Sequence, residues 1–246
     1  MSDIIGVMEN VATMQKNKYK QISFVFVDKP NIKTIHDGEF HKDDYDIKKI
    51  DYKTAMELVI EKHYLHRRAP CSVAFGLFCK EDNSLVGVVI YGVSVSSTLL
   101  KGICGEEESK NVYELTRLWL DDKLPRNCES YLIGNSIKLL DREIIVSFAD
   151  TSQGHIGYVY QATNFIYTGL SSKFKDALVR GYENQHHSGY ANGMSIAMMK
   201  DTFGEENVYY KERPRKHRYI YFNCSKKRKR ELLKKLKYKI EPYPKG

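Results

Sequence analysis

Short apolar segments, separated by turn signals and by helix-patterned stretches, limit this chain to a sheet flanked by helices. "SVAFGLFCK" and "LVGVVIYGV", either side of the turn "EDNS", read as a hairpin over about residues 72–93. "VYELTRLWL" (112–120), "EIIVSFAD" (143–150) and "FIYTGLS" read as further strands. Between them, "DYKTAMELVIEKHYL" (51–65) sets Ala55, Leu58, Val59 and Leu65 at helical spacing behind an N-cap at Asp51. "CESYLIGNSIKLLDR" (128–142) is a second helix, with Leu132, Ile133, Ile137 and Leu140 on one side. This interleaving predicts an α/β or α+β class with a mixed central sheet.

The rest of the chain is less regular. Residues 1–20 are weakly patterned, and "QISFVFVD" (21–28) alternates as a strand does. Residues 29–51 read as loop, as does the Ser- and Gly-containing stretch to about 110. "HIGYVYQAT" makes about two helical turns, ended by Asn164 in the left-handed conformation. Residues 172–206, containing "ENQHHSGYANGMS", form an insertion of uncertain structure. "NVYYKERPRKHRYIYFN" reads as two strands around a Pro-containing turn. "SKKRKRELLKKLKY" is a basic amphipathic helix capped by Ser225. The expected organisation is one domain over 1–246, with an insertion at 172–206 and a basic helix and tail at 224–246.

Charge separates the chain into two parts. From Lys211 to Lys239, 14 basic residues stand against 2 acidic ones, whereas the whole chain carries 39 against 31. The net charge of +8 therefore resides in the C-terminal segment, whose field suits a polyanion such as nucleic acid or simply solvates a helix. The five cysteines, Cys71, Cys79, Cys104, Cys128 and Cys224, lack C-x-x-C spacing, which argues for reduced thiols rather than disulfides or structural zinc. No run of about 18 apolar residues marks a membrane span, and the N-terminus lacks a signal-peptide pattern, so a cytoplasmic location is expected.

Four clusters hold candidate chemistry. After the strand 112–120, a helix starts at Arg126, Asn127 and Ser130; it is either an anion site at free backbone N–H groups or an ordinary helix start. Ser147 and Asp150 end a buried strand, where open sheets place ligands, and His155, Tyr158 and Tyr160 follow. These groups suit proton transfer, or else Asp150 caps a turn and the tyrosines are core. In "HYLHRRAP", His63 and Tyr64 close a helix and Arg67 and Arg68 follow. There a histidine either joins a carboxylate on a metal or caps the helix. "HHSGYANG" (186–193) reads as a base-contacting loop or a plain one.

"ELTRLWLDD…PRNCESYLIGNSIKLL" resembles the fourth strand and following helix of the GNAT acyltransferase fold. "GYVYQATNFIYTG" is similar to the next helix and strand of that fold. Asn164-Phe165 stands where Gly-Phe is usual, "LPRNCES" replaces the phosphate-binding glycines, and Tyr160 falls at the thiolate-protonating tyrosine. A closer resemblance is to the phage Mom family, carried by "HYLHRRAP", "ELTRLWLDDKLPRNCESYLIG", "SFADTSQGHIGYVYQATNFIYTG" and "KHRYIYF".

That resemblance implies a GNAT-like enzyme that places a carbamoylmethyl group on the exocyclic amine of adenine, shielding phage DNA from host restriction. It implies a pocket of His63, Tyr64, Ser147, Asp150 and Tyr160, with iron as a possible metal at His63 and Asp150. A donor, acetyl-CoA or an aminoacyl donor such as charged tRNA, is expected near Leu118, Trp119, Leu120, Arg126, Asn127 and Ser130. Double-stranded DNA with a flipped adenine is the expected partner. Its expected contacts are Arg67, Arg68, His186, His187, Tyr190, Arg215, Lys216, Lys226, Lys227, Arg228, Lys229 and Arg230. Acetyl transfer alone does not yield a carbamoylmethyl group, which needs a bond to the methyl-derived carbon and a further nitrogen. The alternatives are an N-acetyltransferase acting on a protein or small amine, and a DNA-binding protein without enzymatic activity.

Overall fold

In the computed structural model, the described residues are 39–183, 185 and 187–245. The strand expected at 21–28 lies outside them. The elements run β1 (Tyr45–Ile50), α1 (Tyr52–Lys62), β2 (Val73–Cys79), β3 (Leu85–Gly92), α2 (Ser97–Cys104) and β4 (Val112–Leu120). They continue with α3 (Cys128–Ser136), β5 (Ile144–Asp150), α4 (Tyr158–Ala162), β6 (Ile166–Leu170) and β7 (Lys175–Val179). Last come α5 (Ile196–Phe203), β8 (Val208–Glu212), β9 (Lys216–Phe222) and α6 (Lys226–Lys235).

A seven-stranded sheet has the order β1-β2-β3-β4-β5-β9-β6, and β7 and β8 form a separate two-stranded sheet. All neighbours in the main sheet are antiparallel except β4 and β5. The expected mixed α/β class, with flanking helices and a basic C-terminal helix, is what the chain adopts. Caps follow the sequence signals. Asp51 accepts from the Thr54 N–H at 3.0 Å, and Ser225 accepts from that of Arg228 at 3.3 Å. Asn164 has φ 61°, the left-handed end that its position suggested.

Four readings of the sequence are corrected. Strand β1 lies in the stretch read as loop; "YDIKKI" has few apolar positions because an edge strand buries only part of itself. Helix α2 lies in the stretch read as a soft loop. Its Ser96 cap and its inward Ile103 and Cys104 outweigh Gly102, which Tyr238 covers at 2.8 Å from a Cβ position. The helix expected over 155–163 covers only Tyr158–Ala162, because Gly157 enters it at φ 81°. Finally, β8 and β9 do not pair with each other: β8 joins β7, while β9 slots between β5 and β6. The stretch from β7 to β8 thus has its own small core of Val179, Ala191 and Met199, against which Tyr190 packs.

Two apolar layers cover the main sheet. One joins α1 to β2 and β3 through Ala55, Met56, Val59, Ala74 and Val88. The other joins α2 and α6 to β4, β5 and β9 through Ile103, Val112, Ile144, Ile220 and Leu232. Among the described residues no helix is long and apolar enough to cross a membrane.

Candidate active site

A single extra residue opens the site. Leu115 pairs with Tyr91 and Arg117 with Ile90, so Thr116 is a bulge on β4. Its hydroxyl donates to Pro70 O at 2.9 Å, which fixes the bulge. On the other side, β4 and β5 pair in parallel only over Val112–Glu114 and Ile144–Val146. Beyond that point the two strands separate, and a cleft of about 780 Å³ fills the gap. Leu115–Leu118 of β4 and Phe148–Asp150 of β5 form its walls, and His63, Tyr64, Tyr158 and Tyr160 reach it from neighbouring segments.

Asp150 is held by local structure and by charge. Its carboxylate accepts from Ser152 N–H at 3.0 Å and from the Ser152 hydroxyl at 2.7 Å, while Lys216 Nζ lies 3.1 Å away. Burial disfavours its charge, but the Ser152 hydrogen bonds and Lys216 outweigh burial and keep the acid below its ordinary range. Asp150 therefore caps a turn and also faces the cleft.

Glu114 is a second carboxylate in the cleft, unannounced by any motif. Burial raises its pKa, against opposing contributions from Ser94, Lys216 and Arg117. Arg117, also missed, faces the cleft with Nη2 on Arg68 O at 3.3 Å. Its buried Nε has no hydrogen-bond partner among the described residues. A bulge re-aims side chains in a way that strand alternation does not predict, so neither residue stood out in "ELTRLWL".

His63 is 7% exposed, and burial, followed by the nearby Arg117 charge, lowers its pKa to about 4. Leu65 N–H donates to its Nδ1 at 3.1 Å. A backbone amide only donates, so the proton of this neutral ring is on Nε2. Tyr64 stacks on His63 at 4.4 Å and meets the His155 ring edge-on at 6.1 Å. Tyr64 and Tyr158 are exposed at the cleft.

Tyr160 is 8% exposed, and burial pushes its pKa up to about 12 despite a hydrogen bond with Ser147. Ser147 is fully buried behind it and bonds Leu115 O at 3.4 Å, so it supports the cleft without lining it. Gly157 is required here: a Cβ would lie 2.5 Å from the Tyr219 ring and 3.0 Å from that of Tyr160.

The expected donor contacts divide. Leu118 lines the cleft, Trp119 packs under α1, and Leu120 is buried against Gly87. Arg126 and Asn127 are exposed, and Ser130 Oγ donates to Asn127 O at 3.0 Å; none of the three borders the cleft, although Glu129 beside them does.

The expected DNA contacts divide too. Arg67 and Lys216 line the cleft, whereas Arg68 does not. Tyr190 is not a free loop aromatic: it packs 4.8 Å from Tyr182 in the core of the insertion. His186 lies outside the described residues, and His187 begins a short helical turn. Lys226, Lys227 and Arg230 are exposed and Lys229 is half-buried. Arg228 instead turns inward, to Glu108 at 2.6 Å and Glu143 at 2.9 Å, so it anchors α6 and is not a phosphate contact.

The fit to a metal is poor. His63 Nδ1 is occupied by Leu65, and Asp150 by Ser152 and Lys216. Among the described residues no three His, Cys, Asp or Glu side chains gather to hold a metal ion. The residues of the cleft therefore do not fit the iron implied by resemblance, and among the described residues no other ligand set is present.

A bulge-opened cleft with Asp150 and Glu114 of opposite pKa tendency, a neutral imidazole and a buried phenol has the groups that an enzyme uses for general acid–base chemistry. The chain belongs to the Mom protein family, whose model matches residues 44–245. It is 31% identical over 204 residues to the methylcarbamoylase mom of Escherichia phage Mu, covering 78% of this chain and 80% of that one. Among solved structures, it is similar to a ribosomal-protein-S5-alanine acetyltransferase from Vibrio fischeri. There the TM-score is 0.42 at 12% identity, over 76% of this chain and 97% of the other. A GNAT-family acetyltransferase from Bacillus cereus gives 0.39 at 12% identity, over 74% and 99%.

Proposed function

We propose that this protein is a GNAT-like transferase that modifies the exocyclic amine of adenine in DNA, giving a carbamoylmethyl-type product that protects phage DNA from host restriction. The observation that carries this reading is the convergence of His63, Tyr64, Asp150 and Tyr160 on one cleft in a chain of the Mom family. The site of action is the host cytoplasm.

The two carboxylates suit different tasks. Asp150, held ionised by Ser152 and Lys216, orients and stabilises positive charge as the amine reacts. Glu114, with its raised pKa, is the better proton acceptor at neutral pH. N6 bonds to the methylene carbon of a carbamoylmethyl donor, the bond from that carbon to its leaving group breaks with its electron pair going to the leaving group, and the N6 proton passes to Glu114. His63 Nε2–H and the Tyr160 hydroxyl are the donors for charge developing on the transferred or leaving group. Tyr64 and Tyr158 offer exposed rings on which an extruded base can stack.

An acyl-CoA thioester is the first donor to test, but attack at its carbonyl carbon gives an N6-acyl adenine, so the carbamoylmethyl product needs a donor whose leaving group stands on the methylene carbon. A thioester alone does not supply the second nitrogen of a carbamoylmethyl group, and a charged tRNA remains the competing donor. Omitting each donor in turn with purified protein distinguishes them. The function itself is tested by nucleoside mass spectrometry of DNA from cells expressing the wild type or Asp150→Asn. Modified adenine in the first and not the second is expected. Unmodified DNA with an acetylated protein or small amine would instead establish the N-acetyltransferase reading.

A further inference from the structure

A second groove, of about 390 Å³, runs beside edge strand β6 and contains Thr168, Leu170, Arg215, Arg218, Lys239 and Glu241. Three of these are cationic and one is acidic. Arg218 is only 8% exposed, with its guanidinium 3.4 Å from the centre of the Tyr238 ring. It donates to Thr168 Oγ1 and Thr168 O, each at 2.9 Å. Arg215 Nη2 donates to Leu170 O at 3.2 Å, and its Nε to Ser171 O. Among the described residues, both guanidiniums thus hydrogen-bond neutral oxygens. Arg218 is buried and Arg215 half-buried, and Glu241 is the one carboxylate among the described residues lining the groove and acts on Arg218, so three cations face one anion and a bound anion would balance the excess.

The groove adjoins the cleft. Arg215 faces the groove and Lys216 the cleft; Leu170 faces the groove and Ser171 the cleft. Successive side chains on a strand point to opposite faces, so the groove and the cleft open on the two sides of this end of the sheet. The Lys216–Ser171 contact, 2.9 Å from backbone N–H to hydroxyl, ties the two segments together.

We infer that this groove binds a backbone phosphodiester of the DNA whose adenine enters the cleft, with Arg215, Arg218 and Lys239 as its cations. This rests on the proposed function and adds a place where the DNA backbone is gripped. Phosphate contacts of this kind fix register without reading sequence. Glu241 opposes the bound phosphate and weakens the grip.

Two exposed positions test the assignment without disturbing Arg218. Duplex-DNA affinity of the full chain is measured by fluorescence anisotropy over a range of salt concentrations, with thermal unfolding as a control. Lys239→Gln should weaken binding about 3- to 10-fold at low salt and lower the salt slope by about 0.9, the value for one lost phosphate contact. Glu241→Gln should tighten binding by a similar factor. These opposite shifts at unchanged melting temperature are not expected of a structural patch. Wild-type affinity in both variants would overturn the inference, as would altered coenzyme A binding with unaltered DNA binding, which would give the groove to the donor's phosphates. Failure of the wild type to modify adenine would overturn the proposed function instead.

Discussion

Lys216 Nζ lies 3.1 Å from Asp150 Oδ2, and the two residues are direct cross-strand partners on β9 and β5. The pair links the basic segment of the chain to the strand that ends in the cleft. Asn at position 150 retains an acceptor for Ser152 but abolishes the charge. Asp150→Asn is expected to fold, to lower modification by at least about 100-fold, and to leave DNA binding intact, since general acid–base and electrostatic groups contribute about that much. Modified-nucleoside yield and DNA affinity, measured on one preparation, check it. Parallel loss of both would assign Asp150 to folding.

His63 gives a pH signature. Its folded pKa of about 4 lies below the ordinary value of 6.5. As pH falls through that window, the unfolded ring takes up a proton that the folded ring refuses, so stability is complete above it and declines within it. The lowered pKa of Asp150 acts in the same direction, but only below its ordinary 3.8. Melting temperatures at pH 7.5 and 5.0 should therefore differ less for His63→Gln than for the wild type. Equal differences would mean that His63 takes up its proton in the fold at its ordinary pKa, with no burial penalty.

Much of this architecture is visible in the sequence, for identifiable reasons. Hairpin β2–β3 and strands β4 and β5 are continuous apolar runs, and Asp51 and Ser225 are caps with local partners. The pocket residues His63, Asp150 and Tyr160 stand out because polar groups end apolar elements. What stayed hidden depends on distant contacts. Glu114 and Arg117 gain their roles from the Thr116 bulge and the separation of β4 from β5. Arg228 looks like its basic neighbours until Glu108 and Glu143 arrive from 120 and 85 residues away.

The inward turn of Arg228 separates stability from binding on one helix. Glu108 is 6% exposed and receives both Arg228 and Lys235. Arg228→Ala leaves that buried carboxylate short of a partner, a loss of about 2–3 kcal/mol. Lys226→Gln with Lys227→Gln changes only exposed charges. The first variant should melt lower, whereas the double variant should keep its melting temperature and bind DNA more weakly at low salt. The reverse pattern would return Arg228 to the phosphate contacts.

Tyr160 tests how the leaving group is handled. Its pKa of about 12 is some three units above that of a typical thiol, so handing its proton to a free thiolate is uphill by about 4–5 kcal/mol. The phenol acts better as a hydrogen-bond donor in the transition state, held in place by Ser147 from behind. Tyr160→Phe keeps the ring among Phe165 and Tyr219, whose centroids lie 5.4 and 5.2 Å away, and removes only the hydroxyl. Its stability should fall by about 1 kcal/mol or less, while the rate of modification falls about 10- to 1000-fold with little change in DNA affinity. Ser147→Ala, which leaves the phenol in place but unsupported, should produce a smaller loss of the same kind. Single-turnover rates of adenine modification, with melting curves for both variants, decide the matter. A Tyr160→Phe enzyme as fast as wild type would leave the ring as packing alone.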